Sequence, residues 1–276
     1  MDVEVSQLTD SVWLYKVGIV NYYLYKGEKV VLYEAGLSCT ASKLLEELDV
    51  APDYLIVPHG HFDHVCGVSL IAEMYPEVKV VAHEKVKDIA SKEKVLKAWA
   101  SDDLQLCKNY FGIEEEVDIS KIRIDLAVKE KDKVSDIEIM ETPGHSPDCI
   151  SAYLRKENVL LVSDSLGFPL SSGKILPMFF YNFDEYYESM KRIEGIKPYV
   201  LGLAHNKCLK GENCDTFVEN AISETITVYK TLKSDISDEE VFRQIYIDEI
   251  ASYPEMTMRV TAKLLRKRAI DSDIVL

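Results

Sequence analysis

The chain has 276 residues, a hydrophobic fraction of 47% and a formal net charge of −15 at pH 7. This length suits one large domain, or one domain with an appendage, and the hydrophobic content is enough for a sizeable core. The acidic charge argues against nucleic acid as a partner, because proteins that bind a phosphate backbone need a basic surface.

The sequence also predicts the compartment and the state of the cysteines. The N-terminal stretch MDVEVSQLTD lacks the basic and apolar regions of a signal peptide, and no apolar run approaches the roughly 18 residues of a membrane helix. We therefore expect a cytoplasmic protein that has no membrane partner. The six cysteines form no C-x-x-C pair, which predicts reduced and mostly buried thiols.

The first half of the chain carries strand and helix patterns in alternation. Residues 11–34 alternate aromatic and β-branched residues with polar ones, which predicts two or three antiparallel strands. The elements predicted next are a helix over 41–50, a strand over 53–58, a helix over 66–76, a strand over 78–83 and a helical region over 84–111 with a break near Ser91.

A second run of strands follows. Strands are predicted over 122–128, 136–142, 149–155 and 158–164, then a helix over 184–196 and a strand over 199–205. This order of strands and helices, repeated once, predicts an α/β fold in which two β-sheets pack together with helices outside.

The C-terminal part of the chain has a different character. From about Asp215 onward there are three helical patterns with almost no strand signal. We predict one domain over residues 1–212 and a helical extension over residues 213–276 that packs near the active site. Two interpretations stay open for the extension: it completes the outer helical layer, or it covers the mouth of a site and selects substrates by size.

The segment PHGHFDH, residues 58–64, contains three of the six histidines in the chain. At this composition, a match to H-x-H-x-D-H is expected on the order of once in several thousand such sequences. Imidazole and carboxylate groups bind zinc, iron or manganese, which predicts a metal site. On an extended strand end, His59 and His61 point to the same side and can share one metal ion. Asp63 and His64 are displaced onto the helix entry and suit a second one.

Other candidate ligands stand where predicted strands end. These are His145, Asp164 and His205. His83 also follows a strand, but we interpret it as a local hydrogen-bonding partner at a helix start. Cys66 and Cys149 lie beside candidate ligands, and either contact with those ligands or plain core packing would explain them.

The motif H-x-H-x-D-H, followed by His, Asp and His at these separations, resembles the metallo-β-lactamase superfamily over roughly residues 10–210. The resemblance implies a four-layer αββα sandwich and two divalent metal ions, with zinc as the first choice and iron or manganese as alternatives. By that match, His59, His61 and His145 hold one metal, and Asp63, His64 and His205 hold the other. Asp164 bridges them.

Further stretches resemble one group within the superfamily. PGHSPDCISAYL, FFYNFDEYYESMKRIEGI and the helical C-terminus are similar to the quinolone-signal-response thioesterase group. Many members carry Asp where Glu34 stands, a residue that supports the metal loops. The extra methylene of Glu34 changes the geometry of that support.

Two such metal ions can activate water and polarise a carbonyl group, so we expect a thioesterase- or esterase-like hydrolase of a small-molecule acyl substrate, with Asp63 as a catalytic residue. The aromatic segment after Asp164 predicts a substrate-binding wall of Met178, Phe179, Phe180 and Tyr181 for an apolar or aromatic acyl group, with packing of the next helix as the alternative. A mononuclear-iron persulfide dioxygenase and a regulatory protein that retains the metal site stay open as alternative functions. A homodimer is a candidate assembly.

Overall fold

The computed structural model describes residues 2–276 and contains a first sheet of seven strands in chain order. Its pairs are antiparallel from β1 to β4 and parallel from β4 to β7. The strands are β1 Val3–Gln7, β2 Val12–Val17, β3 Val20–Lys26, β4 Val30–Tyr33, β5 Tyr54–Ile56, β6 Lys79–His83 and β7 Leu126–Val128.

The second sheet has six strands in the order β15-β14-β11-β10-β9-β8, and β12 and β13 form a separate small sheet. In the six-stranded sheet only the pair of β11 with β14 is parallel. The strands are β8 Lys133–Val134, β9 Ile137–Glu141, β10 Ile150–Leu154, β11 Val159–Ser163, β12 Phe168–Pro169, β13 Ile175–Leu176, β14 Val200–Leu203 and β15 Cys208–Lys210.

Helices cover the outer faces of the two large sheets. The first sheet contacts α1 and α4, and the edge of the second sheet contacts α7. The helices are α1 Ser38–Glu47, α2 Phe62–Val65, α3 Val68–Met74, α4 Glu84–Ala90, α5 Glu93–Leu106, α6 Phe183–Glu194, α7 Glu212–Leu232, α8 Asp238–Ile245 and α9 Glu255–Asp271. A π-helical turn, Cys107–Phe111, extends α5, and 3-10 turns span Ile119–Lys121 and Asp248–Ser252.

The alternation of side chains along the central strands produces the layers. In β4, Tyr33 lies in the core between the sheets, whereas Leu32 belongs to the core shared with the helices. In β11, Leu161 likewise lies in the core between the sheets, and Leu160 belongs to the core shared with the helices. Because successive strand residues point to opposite faces, strands that are apolar on both faces must be covered on both sides. The predicted αββα sandwich is confirmed.

Most predicted elements are present, with shifted ends. The helical break near Ser91 is confirmed, because α4 ends at Ala90 and α5 begins at Glu93. The helix predicted over 41–50 begins earlier, at Ser38. The strand predicted over 122–128 is shorter and is limited to β7. No helix within residues 2–276 has both the length and the apolar content needed to cross a membrane.

The prediction that all cysteines are reduced is wrong for two of them. Cys39 of α1 and Cys107 at the end of α5 form a disulfide, with their Cα atoms 6.0 Å apart. They are 68 residues apart in sequence, so no local spacing motif indicates the bond. Cys66, Cys149 and Cys214 are buried free thiols, and Cys208 is half-buried.

A buried carboxylate beside this disulfide explains why α1 begins early. Asp103 of α5 accepts a hydrogen bond of 2.9 Å from the backbone N–H of Ser38, and the Ser38 hydroxyl donates to its other oxygen. The first N–H groups of a helix have no partner within the helix, so a carboxylate from another element satisfies one of them. Burial, with a contribution from Asp63, raises the pKa of Asp103 from 3.8 to about 6.

This raised pKa predicts a pH-dependent cost of keeping Asp103 ionised. The protonated form of Asp103 is favoured in the folded state. Its contribution to the free energy of unfolding is therefore complete below 3.8, the pKa in the unfolded chain, and is lost as the pH rises through about 6. Relative to Asp103→Asn, the wild type should lose up to about 3 kcal/mol of unfolding free energy between about pH 4 and about pH 8. Urea unfolding of both proteins across this range measures the difference. Asp235→Asn, which removes an exposed carboxylate, should give a flat difference. A flat difference for Asp103→Asn would contradict the expectation.

Candidate metal centre

Three histidine nitrogens converge where strands of both sheets end. His59 and His61 lie in the loop after β5, and His145 lies in the loop after β9. The Nε2 atom of His59 is 3.1 Å from both Nδ1 of His61 and Nε2 of His145, and the latter two atoms are 2.9 Å apart. Because the three ring nitrogens lie about 3 Å from one another, a single ion placed between them can contact all three. This geometry suits a metal ion bound by neutral imidazoles.

A second group lies beside the first. The short helix α2 carries Asp63 and His64, and His205 follows β14. Nε2 of His64 is 3.7 Å from Oδ1 of Asp63, and Nε2 of His205 is 3.7 Å from Oδ2 of the same carboxylate. One ligand atom from each of these residues lies within 4.8 Å of the other two, close enough for all three to bind one ion.

Asp164, the residue after β11, lies between the two groups. Its Oδ2 atom is 3.4 Å from Nε2 of His145 and 3.3 Å from Nε2 of His64. Its Oδ1 atom is 3.5 Å from Nε2 of His205. The carboxylate therefore faces histidines of both groups, and the structure brings all seven predicted ligands together at one place.

Outer hydrogen bonds fix which ring nitrogen faces the centre. Nδ1 of His145 donates to the carbonyl of Met178 at 2.8 Å, and Nδ1 of His205 donates to that of Ile19 at 3.2 Å. Because a carbonyl can only accept, each neutral ring carries its proton on Nδ1 and turns the Nε2 lone pair inward.

Glu34 provides the corresponding support for His64, with Oε2 2.8 Å from Nδ1 of that ring. Its other oxygen, Oε1, accepts from the backbone N–H groups of Ala35 and Gly36 at 2.9 and 3.0 Å. Glu34 has a positive φ of 90°. The side chain keeps its contact with His64 although it is one methylene longer than that of Asp.

The electrostatics of the centre favour neutral rings at His59 and His145 and an ionised Asp164. Burial, reinforced by the neighbouring histidines, holds the pKa of His59 well below its usual value and lowers that of His145 to about 4. Burial opposes the ionisation of Asp164, but His64 and His205 outweigh it and lower the pKa of this carboxyl. For His64, burial is outweighed by carboxylates, chiefly Glu34, and the pKa rises. A bound cation would displace the proton that gives the His64 ring its positive charge.

Unpaired polar atoms provide a test of whether these residues fit metal ions. Within residues 2–276, six buried side-chain nitrogen or oxygen atoms have no hydrogen-bond partner. Three of them are Nε2 of His64, Nε2 of His205 and Oδ1 of Asp164. A buried polar atom without a partner costs stability of about 1–3 kcal/mol. Their concentration in this centre therefore fits residues that bind cations.

A cavity of about 270 Å³ opens above the metal-ligand residues. His61, Asp63, His145 and Asp164 line its floor. Most of the wall is apolar, and it includes residues of the C-terminal segments, among them Ile250, Tyr253, Met258, Val260 and Leu264. The Tyr253 hydroxyl donates a 2.8 Å hydrogen bond to Oδ2 of Asp63. The C-terminal part of the chain thus contacts the metal-ligand residues directly.

The predicted substrate-binding wall divides into two pairs of residues. Met178 and Phe180 line the cavity. Phe179 is fully buried and packs against Phe183 and Tyr186, whereas Tyr181 is 40% exposed. The structure therefore does not place Phe179 or Tyr181 in the wall. The chain is irregular here, so sequence spacing could not show which side chains point into the cavity.

Two further interpretations of the sequence have structural counterparts. His83 stands before α4, and its Nδ1 atom accepts a 3.1 Å hydrogen bond from the backbone N–H of Lys85, which confirms a local role at the start of the helix. Cys66 is fully buried, and the Sγ atom of Cys149 accepts from the Ser146 hydroxyl at 3.3 Å. Both thiols belong to the packed interior.

Three side chains of the cavity wall carried no signal in the sequence. Trp99 and Asp102 belong to α5, and Tyr253 precedes α9. Each lies in a segment with an ordinary helical or loop pattern. Their place at the cavity depends on how the last helices pack against α5, which is a tertiary property.

Comparison with known proteins supports the same family. A sequence model of the metallo-beta-lactamase superfamily matches residues 15–205. ST1585 of Sulfurisphaera tokodaii, a metallo-beta-lactamase fold-containing protein, is 27% identical over 197 residues, covering 68% of this chain and 72% of ST1585. The probable metallo-hydrolase MJ0888 of Methanocaldococcus jannaschii is 30% identical over 155 residues, covering 53% of this chain and 66% of MJ0888.

Solved structures share the architecture. The metallo-beta-lactamase family protein TTHA1429 of Thermus thermophilus superposes with a TM-score of 0.62 at 17% identity, covering 91% of this chain and 93% of TTHA1429. At this identity the likeness shows the fold alone. The family match spans more than half of the chain and includes His59, His61, Asp63, His64, His145, Asp164 and His205. The chain belongs to the metallo-beta-lactamase superfamily.

Proposed function

We propose that this protein is a metal-dependent hydrolase that cleaves an activated acyl bond, a thioester or an ester, with an apolar or aromatic acyl group. The observation that carries the proposal is the position of the two ligand groups, joined by Asp164, at the floor of a mostly apolar cavity. The names of relatives such as the probable metallo-hydrolase MJ0888 agree with it.

One divalent ion would be held by His59, His61 and His145. The other would be held by Asp63, His64 and His205, and Asp164 would bind both ions. Zinc is our first choice, and iron or manganese would suit the same ligands. A pair of divalent ions held there would make water more acidic and polarise a carbonyl group. No serine or cysteine nucleophile is then required, and Cys149, the free thiol nearest His145 in sequence, has its pKa raised by burial.

Asp63 is the residue that we place in the proton chemistry. Its carboxylate lines the cavity, and Oδ2 is held by the Tyr253 hydroxyl. From this position its Oδ2 atom can accept a hydrogen bond from the attacking water and take the proton as the oxygen bonds to the acyl carbon. It can then deliver that proton to the leaving thiol or alcohol as the C–S or C–O bond breaks. Met178 and Phe180 would contact the acyl group. Residues 213–276 would act as an extension that limits the size of the substrate.

Metal content and hydrolysis together test the proposal. Protein purified without chelator should contain about two divalent metal ions per chain, and it should hydrolyse phenylacetyl thioesters or nitrophenyl esters until a chelator is added. His145→Ala should lower both the metal content and the rate. His83→Ala, which changes a histidine outside the centre, should lower neither. Protein that takes up no metal after reconstitution would overturn the proposal. A single iron without ester or thioester hydrolysis would also overturn it, in favour of a mononuclear-iron dioxygenase.

A further inference from the structure

The cavity above the centre contains one carboxylate that is outside the predicted ligand set, and its charge has no partner. Asp102 of α5 is half-buried in the wall, and its Oδ2 atom accepts a 3.1 Å hydrogen bond from the Thr257 hydroxyl of α9. Within residues 2–276, no lysine, arginine or histidine forms an ion pair with it. Burial, with a contribution from Asp63, raises its pKa, which agrees with the lack of a compensating charge.

Apart from the metal ions proposed at its floor, the cavity provides no cation either. The residues that line the cavity include no lysine and no arginine, and its two histidines, His61 and His145, belong to the metal-ligand set. A substrate whose acyl side places a carboxylate or phosphate at this part of the wall would therefore meet Asp102 without a lysine or arginine beside it. An anionic group placed next to an uncompensated carboxylate is disfavoured by their mutual repulsion.

Aromatic side chains surround the same space. Trp99 stands three residues before Asp102 on α5, so the two side chains share a face of that helix, and both line the cavity. Phe62, Phe180 and Tyr253 line it as well. Aromatic faces attract ammonium groups through their negative electrostatic potential, and the attraction grows when the site is shielded from water. Aromatic rings together with an unpaired carboxylate form a binding site suited to an organic cation.

We propose that the acyl group of the substrate carries an amine in its ammonium form, which Asp102 and the aromatic wall bind. This inference rests on the proposed function, because it names the substrate class of the same cavity. Asp102 would be a residue that determines specificity. It accepts a hydrogen bond from the ammonium group, while Met178 and Phe180 contact the apolar body.

A purely structural role for Asp102 makes a different prediction. Its bond to Thr257 joins α5 to α9, so Asp102 could serve only to hold α9 in place. In that case Asp102→Asn would change the free energy of unfolding, but it would leave the relative affinities for charged and neutral ligands unchanged. Ligand preference therefore separates the two roles.

The test uses three matched amides, which contain no ester or thioester bond. They are phenylacetamides with an aminomethyl, a methyl or a carboxyl group in the para position. Isothermal titration calorimetry on the metal-loaded protein gives the dissociation constants. The aminomethyl ligand should bind about 10- to 100-fold more tightly than the methyl ligand, and the carboxyl ligand most weakly. Asp102→Asn should reduce the preference to about twofold or less, and Asp102→Lys should shift it toward the carboxyl ligand. Asp235→Asn, which removes an exposed charge elsewhere, should retain it.

The outcomes distinguish this inference from the proposed function. A wild-type protein that binds the methyl or carboxyl ligand at least as tightly as the aminomethyl ligand overturns the inference, even if it hydrolyses thioesters. A preference for the aminomethyl ligand that survives Asp102→Asn also overturns it. A preference that disappears with Asp102 supports the inference even where no ester or thioester is cleaved, and in that case only the proposed reaction fails.

Discussion

Replacing Asp63 with Asn is expected to lower kcat for an acyl thioester or ester by about 100- to 10,000-fold, with little change in KM. The amide has nearly the same shape as the carboxylate, but it cannot accept and return a proton at Oδ2. The loss should therefore fall on the chemical step rather than on binding of the apolar acyl group. Single-turnover and steady-state kinetics on the same preparations measure both parameters.

The metal content must be measured in parallel, because Asp63 is also a predicted ligand. Variants should be compared only after reconstitution to the same number of metal ions per chain, determined by elemental analysis. Tyr253→Phe is the matched control. It removes the hydroxyl that donates to Oδ2 of Asp63 but leaves the carboxylate, and it should lower kcat by only about 2- to 10-fold. Equal rates for Asp63→Asn and the wild type at equal metal content would exclude the proton-transfer role of Asp63.

The candidate centre could be predicted from the sequence because its ligands follow strand ends. His145, Asp164 and His205 come directly after strands or in the short loops beyond them, and the parallel strands β11 and β14 place their carboxyl ends side by side. His59, His61, Asp63 and His64 are neighbours in sequence. Local pattern and strand order therefore indicate these candidate positions, and their grouping into two metal sites is what the resemblance to the superfamily implies.

The wall of the cavity could not be predicted in the same way. Phe179 and Phe180 are adjacent and chemically identical, yet one packs against α6 and the other lines the cavity. The segment between β13 and α6 has no regular period that would distinguish them. Asp102 and Tyr253 reach the cavity only because α5 and α9 meet there, joined by the bond between Asp102 and Thr257. Such contacts depend on packing between distant helices.

The disulfide is the clearest case of a feature set by packing. Cys39 and Cys107 carry no spacing motif, and Cys107 lies in a π-helical turn that the helical pattern of residues 84–111 does not reveal. The turn adds to the end of α5 and places Cys107 next to α1. The bond therefore ties α1 to the helix that carries Trp99 and Asp102 into the cavity.

Removing this bond is expected to have the largest effect on stability. A cross-link that closes a loop of 68 residues restricts the unfolded chain, and the loop-entropy relation gives a stabilisation of about 4 kcal/mol. Cys39→Ala with Cys107→Ala should lower the free energy of unfolding by about this amount and Tm by about 10 °C. Urea unfolding with and without reductant measures it. Reductant should destabilise the wild type but not the double variant.

Two controls separate the bond from the loss of sulfur atoms. Cys208→Ser changes a half-buried free thiol, and reductant should destabilise this variant as much as it destabilises the wild type. Thiol titration of the unfolded, unreduced wild type should find four reactive groups, since Cys39 and Cys107 are bonded to each other. Six reactive thiols would show that the cysteines are reduced after all. The stabilising contact between α1 and α5 would then rest on Asp103 and Ser38, and the double variant should unfold close to the wild type.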